Sequence, residues 1–267
     1  MSYINNKKLI NISFYLICFL PIAFVTGPLI PDLIIVINSL IFLYLCFKEN
    51  LWHLFKSKII LILLFFYSII VISSLSSEIL FTSLKSSVFF VRFIIFAIAC
   101  GYVLNLKNNS INILRNFVFF TIVILVIDGL IQYFFGVNLF GMEPLQSNVE
   151  NYDTKITSFF GEDEILGSYL TKILPIFFAL FFIGKDNINI FEIKKIIFVF
   201  LLFLSVFITG ERAAFIHLIM FFMFFFIFSN LKKKLLIFFS MILILILAVS
   251  FISTQDKLKK HRMLLSP

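Results

Sequence analysis

The chain has 267 residues, of which 61% are hydrophobic and 13% are charged. A water-soluble domain of this length needs more polar surface, so the composition excludes a soluble globular protein and predicts a protein whose partner is the lipid bilayer. The net charge of +8 does not indicate a nucleic-acid partner, because the lysines lie between apolar runs and do not form one basic face.

The apolar runs lack the strict alternation of a membrane β-barrel, as residues 59–72 and 235–249 show. Because backbone groups in lipid must be satisfied within the segment, the sequence predicts an all-α, polytopic transmembrane helical bundle. The second span is short, and Pro28 and Pro31 separate it tightly from the first, so these two form either a bent hairpin or two full crossings. The nine predicted spans are 9–29, 33–47, 59–75, 88–104, 114–135, 165–183, 196–209, 213–228 and 235–252.

The distribution of Lys and Arg predicts the orientation of these spans, since short cytoplasmic loops are enriched in basic residues. Every second connection is basic, while the longest connection on the other side, 136–164, carries six acidic residues against Lys155 alone. The N-terminus is therefore predicted to be cytoplasmic, and the connection 76–87 is predicted to be an outer loop. The basic segment 256–262 falls outside in this scheme, which indicates either a miscounted crossing or the start of a larger outer segment.

No metal or disulfide is predicted. Cys18, Cys46 and Cys100 each lie alone in an apolar run, without CxxC spacing or a nearby His.

Two ionisable residues lie inside predicted spans, where each costs roughly 2.5–3.5 kcal/mol without a partner or a purpose. Arg92 and Asp128 are placed at similar depth by the predicted topology. They form either a structural ion pair or an anionic head-group site in which Asp128 holds Arg92 in place. Gln132 follows Asp128 by one turn and, with Thr121 and Leu125, predicts an inward-facing polar stripe that contributes to substrate binding.

The sixth span carries Glu164, Ser168 and Lys172 at i, i+4 and i+8, next to Gly167. This spacing places the three polar residues on one helix face, and Gly167 offers a point of close approach for a neighbouring segment. Lys172 either snorkels to the interface or lines a cavity. The depth of the stripe favours the cavity, which makes Lys172 a candidate ligand for an anionic substrate.

Residues 209–214, TGERAA, form a tight turn between the seventh and eighth spans at the predicted outer face. Such a turn needs only Gly and a polar residue, so the presence of an arginine indicates a role beyond forming the turn. Arg212 would present a rigid fork suited to phosphate oxygens. The alternative is a self-contained Glu211–Arg212 anchor at the interface; we favour anion binding.

Four segments occur in a fixed order along the chain. They are VRFIIFAIA around Arg92, DGLIQYFFGVNLFG at 128–141, SFFGEDEILGSYL at 158–170 and TGERAAF at 209–215. They cover most of the chain from about Arg92 onward, and together they resemble the O-antigen ligase and O-antigen polymerase superfamily of bacterial inner-membrane glycosyltransferases. TGERAAF, which is similar to the family's TG-[S/E]-R-[G/A]-A turn, is the most specific of them.

The resemblance implies a GT-C-type helical enzyme of lipopolysaccharide or polysaccharide biosynthesis, acting on undecaprenyl-diphosphate-linked glycans at the outer face of the inner membrane. The acceptor would be lipid A-core in a ligase or another glycan repeat unit in a polymerase. No metal, cofactor or nucleotide sugar is implied, because the lipid diphosphate is itself the leaving group. Arg212 would contact that diphosphate, and Arg92 would face the same cavity.

Members of that family continue into a large outer loop with an essential His and then into further helices. The resemblance therefore implies that residues 1–267 are a single transmembrane domain, with an outer loop at 136–164, that is truncated before those parts. The fragment itself is then expected to lack a complete active site.

Such chemistry needs positive groups at the departing diphosphate and a base for the acceptor hydroxyl. Arg212 serves the first need, and Glu162 and Glu164 are candidates for the second, although an acidic loop cluster is more often only solvated. The main rival function is a transporter or flippase for a lipid-linked or anionic substrate, which predicts internal repeats that the sequence does not clearly show. A structural subunit of a membrane complex is a third possibility.

Overall fold

The computed structural model of the chain describes residues 2–107, 109–143, 145–146, 154–182 and 193–228. Its described part is α-helical, with one short antiparallel strand pair in which Leu145 is opposite Lys155. The strands are β1 (Leu145–Gln146) and β2 (Thr154–Lys155). The helices are α1 (Ser2–Ala23), α2 (Leu29–Glu49), α3 (Lys58–Leu75), α4 (Leu80–Phe89), α5 (Val91–Leu106), α6 (Ser110–Phe135), α7 (Leu166–Phe182), α8 (Ile193–Ile208) and α9 (Arg212–Phe228).

Five helical segments of the described part are long and apolar enough to cross a bilayer. Two shorter apolar helices, Leu166–Leu180 and Arg212–Phe225, follow them. The prediction of a multi-pass helical membrane protein is confirmed at this level. The predicted ninth span, 235–252, lies outside the described residues. The five segments are Asn6–Thr26, Leu29–Glu49, Lys58–Leu75, Leu80–Leu106 and Ser110–Phe135.

The first two helices are each long enough to cross by themselves, so the prediction of a short second span was wrong. The second helix has 21 residues because Pro31 lies in its first turn, where a proline removes no helical hydrogen bond. The break between the two helices comes at Gly27, whose φ is +96°. Ser13 donates a buried hydrogen bond of 2.5 Å to Asn38 Oδ1 and so joins the two helices.

Helix α4 was not predicted, because its serines made the segment 76–87 resemble an outer loop. The helix packs against α3, and the hydroxyls of Ser74 and Ser87 lie 2.9 Å apart between them. Only Phe90 separates α4 from α5, and the apolar stretch Leu80–Leu106 has 27 residues. At 1.5 Å per residue this stretch is about 40 Å long, which exceeds the roughly 30 Å hydrocarbon core of a bilayer.

The chain divides into two compact units, Met1–Phe117 and Val118–Pro267. In the first unit, the core brings together Phe42 and Cys46 of α2 with Ile94, Ile98 and Ala99 of α5.

In the second unit, Leu170 of α7, Leu202 of α8 and Leu218 of α9 are each at most 1% exposed. The rings of Phe203 and Phe222 stack at 4.8 Å between α8 and α9. The three helices thus share one core.

Candidate functional site

The turn between α8 and α9 is built by Thr209 and Gly210. The Thr209 hydroxyl donates to the carbonyl of Val206 at 2.8 Å and accepts the backbone N–H of Glu211 at 3.4 Å. Gly210 takes a φ of +72°, a conformation that residues with a Cβ rarely adopt. Together they reverse the chain in very few residues and place the next two side chains, Glu211 and Arg212, at the start of α9.

Glu211 reaches across to the beginning of α7. Its carboxylate accepts the backbone N–H of Gly167 at 2.7 Å, the N–H of Ser168 at 2.9 Å and the Ser168 hydroxyl at 2.6 Å. The first N–H groups of a helix have no partner within the helix, and its N-terminus favours negative charge. Glu211 therefore caps α7, and the predicted alternative of a self-contained Glu211–Arg212 anchor was wrong.

This contact depends on the absence of a side chain at Gly167. A Cβ at that position would lie 2.6 Å from Thr209 Oγ1, 3.0 Å from the Ala214 Cβ and 3.1 Å from Glu211 Oε1. Real Cβ atoms do not approach other atoms so closely. The predicted role of Gly167 as a point of close approach is confirmed, and the segment that approaches is the TGERAA turn.

Arg212 is the first residue of α9 and is exposed. Because Glu211 is engaged with α7, the Arg212 guanidinium has no hydrogen bond or ion pair within the part of the chain that the structure describes. Lys155 lies beside the same turn: a Cβ added to Gly210 would lie 4.0 Å from Lys155 Cγ. Lys155 is itself paired with Glu164. The turn thus presents an uncommitted guanidinium.

A second polar cluster lies where α6 ends and the following loop begins. Asp128 is fully buried, and its carboxylate accepts the N–H of Leu139 at 2.9 Å and the hydroxyl of Ser158 at 2.5 Å. Gln132 is also fully buried. Its Oε1 accepts the N–H groups of Thr157 at 3.0 Å and Ser158 at 2.7 Å. These two side chains therefore fasten both ends of the loop to α6.

Asn138 completes this cluster from within the loop. Its amide donates to the carbonyl of Ser158 at 2.9 Å, and its Oδ1 accepts the N–H groups of Phe140 at 2.9 Å and Met142 at 2.8 Å. Ser158 is held at a φ of +53°. We call these four residues, Asp128, Gln132, Asn138 and Ser158, the loop anchor.

The predicted inward face of α6 is confirmed, since Thr121, Leu125, Asp128 and Gln132 are all at most 3% exposed. The partner of Asp128 and Gln132 is the chain's own loop, which the sequence prediction did not foresee. Neither Asp128 nor Gln132 presents surface to a ligand.

Arg92 belongs to the first unit and forms an ion pair with Asp32 of α2, with Arg92 Nη2 2.8 Å from Asp32 Oδ1. Its guanidinium also lies 5.0 Å from the ring centre of Phe93. Arg92 is paired with Asp32, and Asp128 is hydrogen-bonded to Leu139 and Ser158. These partners take the place of the anticipated Arg92–Asp128 pair.

The predicted stripe of Glu164, Ser168 and Lys172 does not act as one surface. Glu164 precedes the first residue of α7 and pairs with Lys155. Ser168 is used by Glu211, and Lys172 is exposed. Glu162 is exposed in the loop. Within the described ranges, its carboxylate has no hydrogen bond or ion pair.

Ser158, Asn138 and Asp32 were not singled out from the sequence. Ser158 engages Asp128 and Gln132, Asp32 engages Arg92, and Asn138 engages Ser158. Hydrogen-bonding side chains in loops are common in sequences, and nothing in their spacing identified these three. Comparisons of the chain with protein-family models, with curated proteins and with solved structures give no match.

Proposed function

We propose that the protein transfers an undecaprenyl-diphosphate-linked glycan to an acceptor at the outer face of a bacterial inner membrane. The acceptor is lipid A-core or a further glycan repeat unit, and the N-terminus is cytoplasmic. The single observation that supports this function best is Arg212 at the TGERAA turn, which is exposed and has no hydrogen bond or ion pair among the described residues. The resemblance of that turn to the O-antigen ligase and polymerase superfamily supplies the substrate class.

The turn is built to keep Arg212 in place and available. Glu211 would be the nearest carboxylate in sequence to neutralise it, but its oxygens are occupied by three donors of α7. A guanidinium held by a rigid turn binds a diphosphate through parallel hydrogen bonds. It also adds to the positive end of the α9 dipole, which itself favours an anion.

In the proposed reaction, the acceptor hydroxyl attacks the sugar C1 that is joined to the lipid diphosphate. The new C1–O bond forms as the C1–O bond to the diphosphate breaks, and the electron pair of the broken bond leaves on the diphosphate. Arg212 stabilises that charge. The hydroxyl proton passes to a carboxylate base. Of the two candidate bases, Glu164 is paired with Lys155, whereas Glu162 has no partner in the described part of the chain, so we assign the base to Glu162.

The buried loop anchor has a different part in this function from the one that the sequence suggested. Asp128 and Gln132 were predicted to bind substrate, but both are 0% exposed and their oxygens accept hydrogen bonds from the loop. We propose that they hold the loop, including the segment that carries Glu162, over the outer end of α7. Lys172 and Arg92 remain candidate contacts for the lipid-linked substrate.

The test is the surface polysaccharide of cells whose only copy of the protein, at full length, carries Arg212→Ala. We expect attached or elongated polymer to be lost, and Arg212→Lys to restore it only in part because lysine lacks the bidentate fork. Lys56→Ala, in a connection remote in sequence from the turn, is the matched control and should leave the polymer unchanged.

The intermediates that accumulate distinguish the possible activities. Single lipid-linked repeats indicate a polymerase, and finished but unattached polymer indicates a ligase. A normal polysaccharide profile in an Arg212→Ala protein that inserts at the wild-type level would overturn the proposal. Lipid-linked glycan confined to the inner leaflet would also overturn it, in favour of a flippase.

A further inference from the structure

A cleft of about 960 Å³ opens between the end of α3 and the following helix α4. Six serines and one threonine line it, in a chain that is 61% hydrophobic. We call it the serine cleft, and it is formed by lining residues between Ile70 and Phe90. All of these residues belong to the first unit and lie in the described part of the chain.

Some of these hydroxyls are used within the protein. Ser74 and Ser87 pair with each other, and Ser77 accepts the Ser83 hydroxyl at 3.0 Å. Ser86 donates to the carbonyl of Thr82 at 3.2 Å. The first contact joins α3 to α4, the second joins the connection between them to α4, and the third lies within α4.

Other polar groups in the serine cleft are not used. Among the described residues, the side chains of Ser73, Glu78 and Thr82 have no hydrogen-bond or ionic partner, although all three line the cleft. Packing of α4 against α3 does not require them. Their donors and acceptors are open to a ligand that hydrogen-bonds to them.

The chemistry of the lining selects the class of ligand. Glu78 is the only charged residue that lines the serine cleft, so an anion such as a phosphate or an acidic lipid head group is disfavoured. Hydroxyl groups both donate and accept, as the hydroxyls of a sugar do, and a carboxylate accepts from them. The ring of Phe90 and the side chains of Ile70 and Ile79 add apolar surface against which the C–H face of a sugar ring packs.

We infer that the serine cleft binds a neutral sugar chain. The binding of a sugar here follows from the lining alone, whereas its identification with the glycan of the lipid-linked donor or acceptor rests on the proposed function. The volume is also suited to this ligand, since binding sites for small molecules commonly measure roughly 300–1,000 Å³.

The experiment uses the full chain in phosphatidylcholine nanodiscs and neutral oligosaccharide probes, maltoheptaose and N-acetylchitotetraose, observed by saturation-transfer NMR. We expect transfer to at least one probe. Ser73→Ala combined with Thr82→Val should weaken binding about tenfold, the effect of two lost hydrogen bonds. Glu78→Gln should weaken it to a lesser degree, because the amide still accepts one bond. These side chains have no partners to lose among the described residues, so the variants should insert and fold normally.

Ser68→Ala is the matched control, because Ser68 is on the same helix as Ser73. Among the described residues, its hydroxyl bonds only to the backbone carbonyl of Phe65, one turn earlier. It should leave binding unchanged. The inference is overturned if neither probe shows transfer, or if the double variant binds as tightly as the wild-type protein.

A second probe, inorganic pyrophosphate observed by ³¹P NMR, separates this inference from the proposed function. Arg212→Ala should abolish pyrophosphate binding and leave sugar binding intact. The serine-cleft variants should weaken sugar binding and leave pyrophosphate binding intact. If the sugars fail to bind while Arg212→Ala removes surface polymer, the cleft inference falls and the transferase proposal stands. If the sugars bind but the polymer is unaffected by Arg212→Ala, the cleft inference stands and the transferase proposal falls.

Discussion

The loop anchor and the serine cleft both gather polar side chains, but the exposure and the partners of these side chains differ. In the loop anchor, all four side chains are at most 4% exposed, and their polar atoms are bonded to backbone groups or to one another. In the serine cleft, Ser73, Glu78 and Thr82 are exposed and lack partners among the described residues. The polar side chains of the loop anchor are thus buried and hydrogen-bonded within the protein, whereas these three side chains of the serine cleft are exposed and have no partner among the described residues.

This difference separates structural polar groups from functional ones in a chain with few polar residues. A buried polar group costs free energy unless every donor and acceptor is satisfied, so the saturated loop anchor is explained by folding alone. Open, unsatisfied groups contribute nothing to folding. Arg212 resembles Ser73, Glu78 and Thr82 of the serine cleft, because it is exposed and has no partner among the described residues. Its neighbour Glu211 resembles the loop anchor, because its carboxylate accepts hydrogen bonds from α7.

The largest effect that would test this comparison is expected from Asp128→Ala. The change leaves the buried Ser158 hydroxyl and the Leu139 N–H without this acceptor, which should lower the free energy of unfolding by about 3 kcal/mol or more. The measurement is unfolding in mixed detergent micelles, together with the rate of protease cleavage in the loop that follows α6. We expect faster cleavage there.

Glu162→Ala is the control for that experiment, since it removes an exposed carboxylate from the same loop. Its free energy of unfolding should lie within about 0.5 kcal/mol of the wild-type value. An Asp128→Ala protein as stable as this control would show that the loop anchor is not structural, and the comparison with the serine cleft would fail.

A smaller loss is expected from Gly167→Ala. The added Cβ would meet Thr209 Oγ1 at 2.6 Å, so the TGERAA turn must shift, at a cost of about 1–3 kcal/mol. Gly101→Ala is a matched control, because a Cβ at Gly101 in α5 meets nothing within 4 Å. It should be neutral or stabilising by up to about 1 kcal/mol. Equal stabilities for the two variants in the same unfolding assay would contradict the close contact.

The sequence was sufficient to predict the helical membrane fold and the buried face of α6. Hydropathy identifies long apolar segments directly, and the spacing of Thr121, Leu125, Asp128 and Gln132 at intervals of three or four residues shows that they share a face. These are local properties of the chain, so no tertiary information was needed.

The partners of the polar residues were not predictable in the same way. Ser158 meets Asp128 across 30 residues of sequence, and Glu211 meets Gly167 across 44. In the second case, sequence adjacency suggested Arg212 as the partner of Glu211. The free N–H groups at the start of α7 attracted the carboxylate instead, and only the fold brings them near. Helix α4 was missed for a related reason, because the serines that line its cleft are also typical of loops.

The smallest effect is expected at the Asp32–Arg92 ion pair. Its side chains are paired, as in the loop anchor, but partly exposed, as in the serine cleft. The pair is short, at 2.8 Å, but its side chains are 45% and 30% exposed. Such pairs contribute about 1 kcal/mol or less. In a double-mutant cycle of Asp32→Asn and Arg92→Gln, the coupling energy should fall in that range, well below the loss expected at Asp128. A coupling of about 3 kcal/mol would place Arg92 with the loop anchor as a structural residue. A small coupling means that an anionic head group can displace Asp32 at little cost, and Arg92 then remains available to the proposed lipid-linked substrate.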